Sequence, residues 1–191
     1  MQKWIYLVFV NEGLPSSKKL KMKKTKYLLF HLVFFALVLN AAPFYGQEVT
    51  TYYLIRHAEK DLSDKSNRNP HLTEVGHARA EAWRSVFKHL NFDLIYSSPY
   101  HRTEETAQPT ANAQQLSVDI YDPRDLYNEA FQRATQGKRV LVVGHSNTTP
   151  KLANTILGEA IYRPIDESIH GNLYIINIVN GEATSQLLFL E

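Results

Sequence analysis

Residues 139–157 read RVLVVGHSNTTPKLANTIL. Val140 to Val143 form an unbroken apolar run, mostly β-branched, which suits a strand buried on both faces. The run stops at Gly144-His145-Ser146. Asn147–Leu157 then has helical spacing, with a Pro near its start and Gly158 just past its end. A fully apolar strand feeding a helix is half of a parallel βα unit, and the same order recurs to either side. Thr50–Ile55 is predicted to be a strand that runs into Arg56-His57. Thr73–Leu90 is a helix capped by Thr73, with Val75, Ala78, Ala82, Val86 and Leu90 on one face. Asp93–Tyr96 is a strand, Tyr100–Ala113 a helix despite Pro109, Ser117–Tyr121 a strand, and Pro123–Thr135 a helix with Pro in its first turn. Asn172–Val179 and Glu182–Leu190, split by Asn180-Gly181, predict a closing antiparallel hairpin. The expected fold is α/β, a three-layer α/β/α sandwich around a mostly parallel central sheet.

Charge divides the chain of 191 residues unevenly. Residues 1–46 hold seven Lys and one Glu, whereas residues 47–191 hold fourteen Lys or Arg against eighteen Asp or Glu. The folded part is therefore acidic, and nucleic acid is not an expected partner. From Met22 the text MKKTKYLLFHLVFFALVLNAAPFYGQ has a Lys-rich start, an apolar stretch from Tyr27 to Leu39, then small residues and Pro43. An apolar run that short suits a secretory signal peptide better than a bilayer span. The expected organisation is an N-terminal extension plus signal peptide over 1–46, with Met22 as the natural start, and one domain over 47–191. The expected location is periplasmic or secreted, with membrane contact only during export. The chain has no Cys, which removes disulfides, thiol catalysis and Cys-based zinc sites.

Open α/β sheets bind ligands beyond the carboxyl ends of their strands. Three predicted strands end in LIRHAEK, IYSSPYHRTEETA and VVGHSNTTP. If they are parallel, Arg56, His57, Arg102 and His145 converge. Two guanidiniums can clamp the oxygens of a phosphate, and the helix start around Ser146 to Thr148 adds backbone N–H donors. An imidazole aimed at phosphorus can then attack in line. On this reading His57 is the nucleophile and Arg56 holds what it attacks. Ser146 and Asn147 are substrate-side groups, and so are Glu59 and Lys60 unless they form a solvated pair. A metal site among the eight His is a rival, but no H-x-x-x-H or H-x-x-E-H helix pair is present.

These residues resemble the histidine phosphatase superfamily, also called phosphoglycerate-mutase-like. Arg56-His57 matches its first signature, with Ala58 where Gly is commoner. LTEVGHARA (Leu72–Ala80) resembles its L-T-x-x-G-x-x-Q-A helix start. Ser97-Ser98-Pro99, Arg102-Thr103 and Thr106-Ala107 match its second-arginine motif, and Gly144-His145-Ser146 its second histidine. The resemblance runs from about Thr51 to about Leu157 and is closest to the compact, short-chain branch. It implies a phosphohistidine on His57, with Arg56, Arg102 and His145 stabilising the phosphoryl group and no metal or other cofactor.

The family commonly supplies a Leu-x-Glu acid after the third strand, and IYDPRDLYNEAF lacks it. Asp122 is the first choice of proton donor, with Asp125 and Glu129 behind it. The short stretch between Arg102 and His145 leaves no room for a large cap, so the pocket is expected to be open, bordered by Lys60–His71 and Tyr121–Tyr127. Hydrolysis is thereby favoured over mutase chemistry, which must exclude water. The expected partner is a small phosphorylated substrate or a phosphorylated protein. The alternatives are a phosphate-binding module without turnover, or a mutase-type phosphotransferase.

Overall fold

The apolar runs that predict strands lie side by side in the computed structural model, which describes residues 26–31 and 48–191. The chain divides into two units, Met1–Gly46 and Gln47–Glu191. In the first, residues 26–31 are helical. The rest of the expected signal peptide and its cleavage region lie outside the described residues. Among the described residues no helix is long and apolar enough to cross a membrane.

The second unit holds β1 (Val49–Arg56), α1 (Glu74–Val86), β2 (Leu94–Ser97), α2 (His101–Gln114), β3 (Val118–Ile120), α3 (Glu129–Thr135), β4 (Arg139–Gly144), α4 (Thr148–Leu157), β5 (Asn172–Val179) and β6 (Glu182–Phe189). The sheet runs β3-β2-β4-β1-β5-β6. Its first four strands are mutually parallel, while β5 and β6 are antiparallel additions. Register places Arg56 opposite Gly144 and Ser97 opposite Val143, so the three strand ends that carry the polar motifs lie level. Asn180 and Gly181 both have positive φ, which a two-residue hairpin turn requires.

Two cores explain the layering. Ile55, Leu141 and Val143 point to one face and pack with Trp83, Phe87 and Phe92, under α1 and α2. Tyr52, Leu54, Val140 and Val142 point to the other and pack with Phe131, Leu152 and Ile156, under α3 and α4. Alternate residues of the same strands feed opposite cores, which is why Val140–Val143 of β4 has no polar positions. The three-layer expectation holds.

Two helices depart from their predicted form. The buried face of α1 is Gly76, Ala80 and Trp83, not the predicted Val75/Val86 stripe; Val75 is 61% and Val86 42% exposed. Bulk decides this, because one indole and Phe87 bury far more apolar surface than two valines. Gly76 is needed there, since a Cβ would stand 2.2 Å from the Glu59 carbonyl oxygen. α1 also stops at Val86 rather than Leu90. The helix expected from Pro123 begins only at Glu129, capped by Asn128, whose side chain accepts from Phe131 N. Asp122 accepts from Arg124 N, and Asp125 N donates to Asp122 O, so this Asp-rich stretch turns instead of coiling.

Candidate functional site

The level strand ends of β1, β2 and β4 open into a cavity of about 330 Å³. His57, Lys60, Tyr100, Arg102, His145 and Glu167 supply its polar lining, with Pro123 and Ser146–Thr148 at its edge. Of the residues singled out in the sequence, His57, Lys60, Arg102, His145, Ser146 and Asn147 face this one space. Arg56, Glu59 and Asp122 do not line it.

His57 follows the last residue of β1, and its backbone N–H donates to Gly144 O at 2.9 Å, extending the β1–β4 ladder by one residue. Its ring is 2% exposed. Nδ1 lies 2.7 Å from Ala58 O. A carbonyl only accepts, so Nδ1 carries the proton and Nε2 keeps its lone pair. Burial drives the His57 pKa down to about 2, and His145, Arg56 and Arg102 push in the same direction. The ring is neutral, as a nucleophile must be.

His145 sits past β4 with its ring centroid 5.4 Å from that of His57. Its Nε2 is 2.8 Å from Ser98 Oγ, which leaves Nδ1 for a ligand. Burial, then Arg102, Lys60 and Arg56, lower its pKa to about 4. Ser98 is itself held against Thr103 Oγ1 at 2.9 Å, and Thr106 Oγ1 accepts from Ala58 N at 2.9 Å. The two Thr of the second motif are therefore supports behind the histidines. Thr148 Oγ1 accepts from His145 N at 3.0 Å and starts α4. Gly144 has no room for a side chain, since a Cβ would meet Thr149 Oγ1 at 2.7 Å.

The two arginines differ. Arg102 projects from the first turn of α2 with its Cζ 4.3 Å from the Tyr100 ring centroid. Its Nε and Nη1 are buried and have no hydrogen-bond partner. Burial lowers its pKa, but a guanidinium remains charged. Arg56 is 1% exposed, and its Nη1 donates to Asp166 O at 2.9 Å and Ile169 O at 2.8 Å. Its Nη2 pairs with Glu167 Oε2. The clamp that sequence assigned to Arg56 is turned toward the 166–169 turn, and Glu167 stands between it and the cavity.

Three further corrections concern carboxylates and the wall. Glu59 binds Arg79 through both oxygens, at 2.8 and 3.0 Å, and so helps dock α1. Asp122 is gripped by Arg124, which holds its pKa at about 2, and it faces a different concavity with Tyr96 and Phe131. Asp125 and Glu129 do not line the His57 cavity either. The carboxylate that does is Glu167, whose Oε1 accepts from Ser146 Oγ at 2.5 Å. Its pKa is lowered by that bond first, then by Arg56 and Lys60. His170 was also missed; its Nδ1 donates to His57 O at 2.9 Å and braces the nucleophile's backbone. Both lie in IDESIHGN, a loop whose only signal was polar text directly before a strand. No cluster of three or more His, Asp or Glu suited to a metal occurs among the described residues.

Taken together, the site offers a neutral imidazole with a free lone pair, a second imidazole opposite, and cationic groups around one small space. It can receive a tetrahedral oxyanion and attack its centre.

A sequence model described as the histidine phosphatase superfamily (branch 1) matches residues 52–124. No curated protein sequence matches the chain. Among solved structures, the protein histidine phosphatase SixA complexed with tungstate is similar at TM-score 0.59 and 17% identity, over 73% of this chain and 96% of that one. The alpha-ribazole phosphatase from Shigella flexneri is similar at TM-score 0.57 and 18% identity, over 73% and 96%. Phosphoglycerate mutase from Bacillus anthracis is similar at TM-score 0.57 and 16% identity, over 74% and 93%. At these identities the likeness is one of fold.

Proposed function

We propose, from the match of residues 52–124 to the histidine phosphatase superfamily model, that this chain is an exported phosphatase acting through a phosphohistidine on His57. The observation that carries the reading is the pairing of a lone pair with an unsatisfied cation. His57 Nε2 is free because Nδ1 is tied to Ala58 O, and Arg102 keeps two buried nitrogens without partners across the same cavity. A phosphoryl group fits both needs at once.

In the reaction, Nε2 attacks phosphorus, the P–N bond forms, and the bond from phosphorus to the leaving oxygen or nitrogen breaks. Arg102, Lys60 and His145 offset charge on the equatorial oxygens. Water then breaks the P–N bond, which releases inorganic phosphate and restores the neutral ring. The chemistry asks for no metal. The substrate is a phosphomonoester or a phosphohistidine. The latter is supported by the position of Asp122, because a substrate whose leaving group departs readily needs little help from a proton donor.

A second reading, a phosphate-binding module without turnover, draws on the same displacement of Asp122 and on the tethering of Glu167. Rapid quench into alkaline detergent, which preserves the acid-labile P–N bond, with radiolabelled substrate separates the two. Label on residue 57, with activity falling at least about 10³-fold in His57→Asn, is expected of the enzyme. Turnover without label on residue 57 would end the phosphohistidine mechanism, and binding without turnover would favour the module. Mass spectrometry of the exported protein tests removal of the signal peptide, since an intact Met1 or Met22 terminus rules out cleavage.

A further inference from the structure

Glu167 occupies an odd position for a carboxylate in a cavity read as a phosphoryl site. It faces the same space as His57, Arg102 and His145, and Lys60 acts on it electrostatically. One oxygen takes Arg56 Nη2, and the other takes Ser146 Oγ. Arg56 Nη1 is spent on two backbone carbonyls, so Nη2 is the terminal nitrogen through which Arg56 can grip a ligand. Glu167 already holds it.

The carboxylate is not locked in place. Its side chain is 72% exposed, against 1% for Arg56. The turn beneath it is independently fixed: Ile169 N donates to Asp166 O at 3.0 Å, and Ser168 N donates to Asp166 Oδ1 at 2.9 Å. The main chain can therefore stay while the Glu167 side chain rotates away.

From this we infer that Glu167 is a resident competitor for the phosphoryl site: a carboxylate that holds Arg56 and Ser146 until a phosphoryl group displaces it, and that returns to expel inorganic phosphate. The inference rests on the phosphoryl-site reading above and adds what sets the hold on the product. A charge-assisted bond lost on entry and regained on exit weakens ground-state binding of phosphate without entering the bond-making step. It also denies the site to weak anions that cannot outbid the carboxylate.

The test is isothermal titration of inorganic phosphate into the full chain at pH 7, comparing the parent with Glu167→Gln and Arg102→Ala. Glu167→Gln is expected to bind phosphate about tenfold more tightly, with correspondingly tighter product inhibition in steady-state assays. Equal or weaker phosphate binding overturns the inference. So does a large fall in kcat at unchanged phosphate affinity, which would make Glu167 a proton carrier. Phosphate binding by the parent that Arg102→Ala leaves untouched would overturn the phosphoryl-site reading itself, and this inference with it. Should Glu167→Gln misfold, the parent alone suffices. Saturating phosphate must shift the carboxyl carbon resonance of Glu167, and an unmoved resonance overturns the proposal.

Discussion

Arg56 and Arg102 stand on two different supports, one at the end of β1 behind Glu167 and the other in the first turn of α2 on the cavity wall. Sequence gave them a shared role, and their surroundings separate them. On the Arg56 side both terminal nitrogens are matched, Nη1 to carbonyls of the 166–169 turn and Nη2 to Glu167, and Nε alone is without a partner. The Arg102 side has buried donors that the protein leaves unmatched. Folded proteins rarely leave buried charge unpaired, because desolvation costs several kcal/mol unless something repays it. Such a site is built for a ligand, whereas a satisfied site is built for stability.

The contrast can be broken most directly by removing each arginine in turn. Arg102→Ala should lower kcat/KM for p-nitrophenyl phosphate by about 10²–10³-fold, while its unfolding free energy in urea stays within about 0.5 kcal/mol of the parent. A large loss of stability would show that Arg102 is structural after all. Arg56→Ala should behave oppositely in urea denaturation. It strands the Asp166 and Ile169 carbonyls, for a loss of about 3 kcal/mol. Equal stability of the two variants would dissolve the distinction.

Acid sharpens it further. Burial pushes His57 and His145 down from the ordinary 6.5 to about 2 and about 4. Below pH 6.5 the unfolded chain binds protons that the folded chain refuses, so stability declines as pH falls. The contribution of His145 is exhausted near pH 4 and that of His57 near pH 2. Urea midpoints from pH 7 to pH 4 should slope downward, and the slope should flatten in His145→Asn. An unchanged slope would mean that the cavity is wetter than its geometry implies. The smallest effect belongs to Asp122→Asn, expected to alter alkyl and aryl phosphate turnover by less than about twofold, since that carboxylate is spent on Arg124. A selective loss on alkyl phosphates would restore it as the proton donor.

Much of this architecture could be read from the chain. Val140–Val143 announced a strand covered on both faces, and the parallel order followed from the alternation of strand and helix. The strand-end polar groups were legible for the same reason: a buried run that breaks into Arg-His or Gly-His has few structural excuses. Helix faces were less legible, because periodicity weighs Val75 and Val86 as it weighs Trp83, while packing ranks them by area. The Pro123 helix failed because the chain closes an isolated turn there, Asp125 N donating to Asp122 O, and coils only after Asn128 supplies its cap. The 166–169 wall was invisible because its role depends on Arg56 arriving from a strand more than a hundred residues earlier in the chain.

The hydrogen bond from His57 N to Gly144 O, with Arg56 in register opposite Gly144, has a mechanical consequence. Both imidazoles hang from adjacent rungs of one ladder, so their spacing is set by the distance between neighbouring strands, roughly 4.8 Å in any sheet. Side-chain torsion can tilt the rings, but the gauge between their roots cannot open without tearing a strand from the middle of the sheet. The molecule thus measures its guest with a caliper whose jaws are main chain, and whatever adapts must be the loops around it.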